Sequence, residues 1–211
     1  MPVPLNAPSE VVRAWLEKSL GYMLDDTIPV KPKGVKARTH MDIDFVGIHP
    51  SLKQVQVGFG AITLKPRIIV EVKGWIDYNS SEILKNLYRD LNLMKKNNFI
   101  PSLYSKKKQR LTFTFLKQEI YQKGNTIFGI QGFDRVLAVP EMPQSTNIGG
   151  NVINKINLIN SYKLKSIYII ELTDILNDLI KYVHDTANLP VSRRSFVLEM
   201  IHMFDKAKLL C

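Results

Sequence analysis

The feature that most constrains this chain is a set of charged residues inside two strongly apolar runs. Asp44 lies within Met41-Asp42-Ile43-Asp44-Phe45-Val46-Gly47-Ile48, and Glu71 and Lys73 lie within Arg67-Ile68-Ile69-Val70-Glu71-Val72-Lys73-Gly74-Trp75-Ile76. Both runs are rich in β-branched and aromatic residues, which predicts strands. A charge in such a strand is costly unless it is paired, hydrated or bound to a cation. Side chains alternate between the two faces of a strand. In the second run Ile68, Val70, Val72 and Ile76 therefore share one face, and Ile69, Glu71, Lys73 and Trp75 the other. In the first run Ile43 and Phe45 share a face, with Asp42, Asp44, Val46 and Ile48 opposite. Each strand is expected to have one wholly apolar face, and pairing of the two would set Asp44 beside Glu71 and Lys73.

That set has a chemistry. Two carboxylates offer hard oxygen ligands to Mg²⁺, a cation that keeps several waters. Glu71 and Lys73 lie roughly 6–7 Å apart along a strand, so one can hold a cation while the other orients a water and offsets phosphoryl charge. Taken alone, an acidic-x-Lys triplet also describes a half-exposed strand with a surface ion pair.

With 211 residues the chain is expected to fold as one domain with a substantial core. Lys and Arg number 29 against 19 Asp and Glu, a net charge of +10. Such a balance favours a polyanionic partner, nucleic acid before an anionic membrane surface. The single cysteine, Cys211, excludes an internal disulfide. His40, His49, His184 and His202 lack paired zinc-ligand spacing. Met1 to Pro8 is too short and proline-rich for a signal segment, and no apolar run is long enough to span a bilayer. The expectation is a cytoplasmic protein with no membrane partner.

Ser9 to Leu20 predicts a helix with Val12, Trp15, Leu16 and Leu20 inward, Ser9 as cap and Gly21 as stop. Residues 22–38 read as irregular or as an edge strand broken by Pro29 and Pro32. Gln54 to Leu64 reads as an extra strand interrupted by Gly58 and Gly60. Asn79 to Asn97 predicts a helix with Leu84, Leu87, Leu91 and Met94 inward and Lys85, Tyr88, Arg89, Asn92, Lys95 and Lys96 outward. Residues 105–123 fit either a strand over Leu111–Phe115 or a helix. Arg135–Val139 is a buried strand, and a loop through Gly149-Gly150 leads to a helix over residues 152–162. Ser166–Glu171 is a further strand, completing a parallel βαβ unit, and Thr173–Val183 is a helix. Ser192–Leu209 is a last amphipathic helix. The order implies an α/β sandwich around a mixed central sheet.

Here the residues meet a known family. Asp44, with Glu71 and Lys73 following 27 positions later as acidic-x-Lys, resembles the motif of the PD-(D/E)XK nuclease superfamily, including its Holliday-junction-resolvase-like and restriction-endonuclease-like members. Glu10, about three turns of helix before Gly21-Tyr22, is similar to the first-helix glutamate of many members. The Val136–Pro140 strand and the Ile169–Leu172 step look like the family's closing βαβ. Two features depart from the pattern. No proline precedes the motif aspartate, so Asp42 and Asp44 both stand as ligands, Asp44 preferred for the apolar run that follows. Leu84 stands where the exonuclease branch has a glutamine four residues before its tyrosine, here Tyr88.

The resemblance implies a restriction-endonuclease-like three-layer α/β/α core over residues 1–185, with 186–211 as a helical extension packed on it. It implies a nuclease, an endonuclease in particular, acting on DNA with Mg²⁺ or Mn²⁺, and it is compatible with a homodimer. Asp44, Glu71 and the Val72 carbonyl would ligate the cation, Lys73 would position the attacking water, and Glu10 would support a second cation or a water. The alternative is an inactive nucleic-acid-binding or interaction module of a restriction or repair complex. Lys31, Lys33, Lys36 and Arg38, which lead into the Asp44 strand, and Lys95, Lys96, Lys106, Lys107 and Lys108 are candidates to track a phosphate backbone.

Overall fold

A computed structural model describes residues 7–30, 41–58, 60–73, 80–97, 111–129, 132–186 and 197–201. Five strands form the central sheet: β1 (Met23–Val30), β2 (Met41–Ile48), β5 (Arg67–Val72), β6 (Asp134–Val139) and β9 (Ile167–Glu171), side by side in that order. β2 pairs antiparallel with β1 and with β5, whereas β6 pairs parallel with β5 and with β9. The chain is thus an α/β protein with a mixed central sheet and flanking helices. Its central strand, β5, is buried on both faces over five of six residues, from Ile68 to Val72, and that is why the run shows no apolar–polar alternation.

Alternation within β5 sorts two cores. Ile69 belongs with Leu137, Val139, Ile167 and Ile169 under α2 (Ser80–Lys96), α3 (Gln118–Phe128) and α4 (Lys155–Lys163). Ile68, Val70 and Val72 belong with Val136, Ala138 and Ile170 under α1 (Ala7–Ala14) and α5 (Leu172–Asp185). Leu198 and Ile201, from the short described piece of the last helix, are buried in this second core. No helix among the described residues is long and apolar enough to cross a membrane.

Several elements differ from expectation for identifiable reasons. The first helix starts at Ala7, with Ser9 buried inside it rather than capping it; Pro8 favours a first-turn position, where its missing N–H is not needed. The helix widens to a π-turn over Trp15–Ser19, and Trp15 Nε1 and Ser19 Oγ both donate to Asp178 Oδ2, at 2.9 and 2.6 Å. Residues 23–30 settle as an edge strand that tolerates Pro29. The Gln54–Leu64 run is a hairpin, β3 (Lys53–Val57) and β4 (Gly60–Leu64), forming a sheet of its own. Gly149-Gly150 is a hairpin turn rather than a lead-in to a helix. Both glycines have positive φ, 55° and 84°, and they join β7 (Ser145–Ile148) to β8 (Asn151–Asn154), as two-residue turns do.

The ambiguous stretch becomes a 3₁₀ turn, Thr114–Leu116, followed by α3. Gly124, inside α3, allows the helix to close on the sheet: a Cβ there would sit 2.3 Å from Phe133 Cζ and 2.5 Å from Ile69 Cδ1. The turn is tied down by Asp90 of α2, fully buried at 0% exposure. Its carboxylate accepts the backbone N–H groups of Thr112 and Phe113 at 3.0 and 2.9 Å. Burial holds the Asp90 carboxyl above the usual aspartate range, against the opposing pull of those hydrogen bonds.

Asp90→Ala would leave one buried donor, Phe113 N–H, and one half-buried donor, Thr112 N–H, without an acceptor, the buried one at about 1–3 kcal/mol. It is expected to lower unfolding free energy in urea by a few kcal/mol. Because the folded carboxyl is the weaker acid, the Asp90 contribution to stability is largest at low pH. It falls as pH rises through the folded-state value, a slope that should be absent from the pH–stability profile of the variant.

Candidate functional site

The sheet parts at the predicted site. β2 and β5 pair from Ile48↔Arg67 to Phe45↔Val70, and there their register ends. Both strands continue, each with its other neighbour: β2 pairs with β1 as far as Met41, and β5 pairs with β6 as far as Val72. The core composition shows the same divergence. Phe45 and Leu24 pack in the α1/α5 core, yet Ile43, Ile28 and Val30 pack in the α2/α3/α4 core. The expected single apolar face of the first strand is therefore corrected: Ile43 and Phe45 serve different cores. A two-stranded ribbon twists more strongly than a wide sheet, and the β1–β2 ribbon turns away from β5 at Asp44.

Asp44 spans the gap. Its Oδ2 accepts the Val72 backbone N–H at 2.6 Å, the donor that a continuing β2 backbone would otherwise satisfy. The Lys73 N–H, one residue on, points the other way and donates to the Ala138 carbonyl at 2.8 Å. The N–H and C=O of one strand residue point to the same side, so the Val72 carbonyl is aimed into the gap as well. The Lys73 ammonium and the Glu71 carboxylate form an ion pair. The Glu71 side chain is 3% exposed and that of Lys73 19%, while Asp44 is half-buried. The Asp44 carboxylate, on the Val72 N–H, and the Glu71–Lys73 ion pair thus both lie at the carboxyl end of β5, on the border between two cores.

The other predicted residues are distributed as follows. Glu10 is half-buried on α1, and among the described residues no three His, Cys, Asp or Glu side chains gather as metal ligands. Asp42 lies in β2 opposite Pro29. Lys95 and Lys96 are exposed in the last turn of α2. Lys31, Lys33, Lys36 and Arg38, and Lys106, Lys107 and Lys108, lie outside the described residues. Tyr88, expected on a polar face, is partly buried against the α2/α3/α4 core.

A second buried pair lies at the same end of the sheet. Lys155, 4% exposed at the start of α4, places Nζ 3.0 Å from Glu171 Oε2 and 3.1 Å from Oε1. It also donates to the Met142 carbonyl at 3.2 Å, while the Met142 N–H donates to Glu171 Oε1 at 2.7 Å. Every strong group here has a partner inside the protein, so the pair reads as a clamp fastening α4 to the end of β9. Sequence reasoning missed it because nothing local distinguishes a lysine that a helix start will bury from an exposed one.

No family model, no curated protein and no solved structure matches this chain. The functional reading therefore stands on the residues and their geometry.

Two stability effects follow. Asp44→Ala leaves the Val72 N–H without its acceptor, and charge-assisted bonds of this kind rank among the stronger ones. Loss of about 1–3 kcal/mol is expected by urea denaturation, with Asp44→Asn, which keeps an acceptor oxygen, costing less. Lys155→Ala isolates the Glu171 carboxylate in the interior and should cost about 3–5 kcal/mol, readable as a lowered thermal midpoint.

Proposed function

We propose that this chain is a divalent-metal-dependent nuclease that hydrolyses phosphodiester bonds in DNA, built on a restriction-endonuclease-like α/β/α core. One observation carries the reading: Asp44 reaches across the parting of β2 and β5 to the backbone next to the Glu71–Lys73 ion pair. The donor set suits a hard cation. Asp44, Glu71 and the Val72 carbonyl are all oxygen donors, and Mg²⁺ needs only one or two carboxylates because it retains waters. Bound there, the cation would polarise a phosphate oxygen and lower the pKa of a coordinated water.

The remaining roles belong to the chain itself. The Val72 N–H fixes the Asp44 carboxylate through one oxygen. The Lys73 ammonium, ion-paired with Glu71, would hold a water by hydrogen bonding and offset charge on the phosphoryl group. The low exposure of both side chains strengthens these interactions relative to water. The net charge of +10 draws a polyanion toward the site.

A second reading has its own observation. Glu71 is almost fully buried against Lys73, and among the described residues no three His, Cys, Asp or Glu side chains gather as metal ligands. That arrangement would also suit a nucleic-acid-binding or interaction module that retains the fold without turnover.

The test is cleavage of plasmid and linear DNA with Mg²⁺ or Mn²⁺. The wild type is expected to cleave, and Lys73→Ala to lose about 100-fold or more in rate, the scale of a removed proton-transfer or water-positioning group. Equal cleavage by the two proteins would overturn the site. Salt-sensitive DNA binding without metal-dependent cleavage would establish the second reading.

A further inference from the structure

The described residues carry a second feature with no part in the chemistry above. An open groove of about 230 Å³ runs between α2 on one side and β8 with α4 on the other. Buried Leu91 and Leu158 contribute apolar surface from the core beneath it. Tyr88, half-buried against that core, provides an aromatic wall. The polar lining comes from Lys95, Asn154, Asn157 and Ser161, the last with its hydroxyl donated to the Asn157 carbonyl.

We propose that this groove binds one nucleotide unit of a nucleic acid, with the base between Tyr88 and the two asparagines and the phosphate on Lys95. It shares with the proposed function only the class of ligand, and its occupancy requires no cleavage.

Size, polarity and charge agree on that occupant. The volume falls below the roughly 300 Å³ where drug-sized sites begin and suits a single heterocycle with its sugar. Asn154 Oδ1 accepts the Asn157 backbone N–H at 3.2 Å as the cap of α4. That contact fixes the Asn154 amide and leaves its NH₂ to donate. The exposed Asn157 side chain makes no hydrogen bond to another described residue and supplies both a donor and an acceptor beside it. Paired donors and acceptors next to an aromatic face are what an unpaired base needs for edge hydrogen bonding and stacking. Lys95 is exposed and has no ion-pair partner among the described residues, and no acidic side chain is among those lining the groove. A lipid chain would leave the amides desolvated without partners, and a metal ion would find no carboxylate.

The groove is tested by fluorescence anisotropy with a labelled oligothymidylate and an abasic oligomer of equal length, both in EDTA so that neither is cut. The wild type should bind the base-containing strand about fivefold or more tightly, the gain of one stacked base. Asn157→Leu, at an exposed helical position, narrows the groove and removes its amide. It should erase that preference while leaving the thermal midpoint and abasic binding unchanged. Lys95→Glu should weaken binding to both oligomers and reduce the salt dependence by about one phosphate contact. Equal wild-type affinity for the two oligomers would overturn the proposal, as would an unaltered preference in Asn157→Leu. Because the assay contains no free divalent cation, failure of the cleavage test would leave this result standing, and DNA cleavage without base-dependent binding would overturn the groove alone.

Discussion

The bond from the Val72 N–H to the Asp44 carboxylate is the contact on which the site depends. It lies where two paired strands stop pairing, and it replaces a backbone acceptor with a side-chain one. A buried backbone donor cannot be left without a partner at small cost, so the parting of β2 and β5 requires an acceptor at that place. Asp44 meets the requirement with a charge, and the charge is thereby held next to Glu71 and Lys73. Stability and candidate chemistry share one carboxylate.

The rest of the molecule is arranged around that border. The parallel strands β5, β6 and β9 lie largely buried between flanking helices. The β1–β2 ribbon belongs to the same sheet but twists off it, carrying Ile28, Val30 and Ile43 into the opposite core from Phe45. Carboxylates fasten the surrounding pieces at distinct points, Asp90 and Glu171 buried and Asp178 half-buried. Asp90 anchors the turn before α3, Glu171 holds the start of α4 through Lys155, and Asp178 receives the π-turn after α1. Each is satisfied inside the protein and reads as architecture. The Asp44–Glu71–Lys73 group differs in lying at a parting of strands, with the half-buried Asp44 on its outer side.

The legibility of the sequence followed the range of the interactions involved. β2 and α2 appeared at nearly their observed bounds, because an eight-residue apolar strand and a helix with repeating leucines are local patterns. The closing βαβ was legible for the same reason. The hairpin at Gly149-Gly150 was not, since its strands are short, polar and largely exposed. α3 was obscured by the strand-like alternation of Leu111–Phe115, which leads through a 3₁₀ turn into the helix. Within the site, the acidic-x-Lys triplet and the upstream aspartates could be read directly. The point at which the strands part, and so the backbone donor that Asp44 meets, could not.

By itself the sequence determined the alternating order of helices and strands, the positive charge, and the placement of Glu71 and Lys73 on one face of a strand. These rest on periodicities of two and 3.6 residues, which neighbouring residues enforce. Only the tertiary structure decided that β2 leaves β5 at Asp44, that Ile43 and Phe45 serve different cores, and that Lys155 is buried against Glu171. Each of these comes from partners far apart in the chain. Twist, hydrogen-bond satisfaction and packing on both faces of one sheet select such partners together, and no local pattern records that selection.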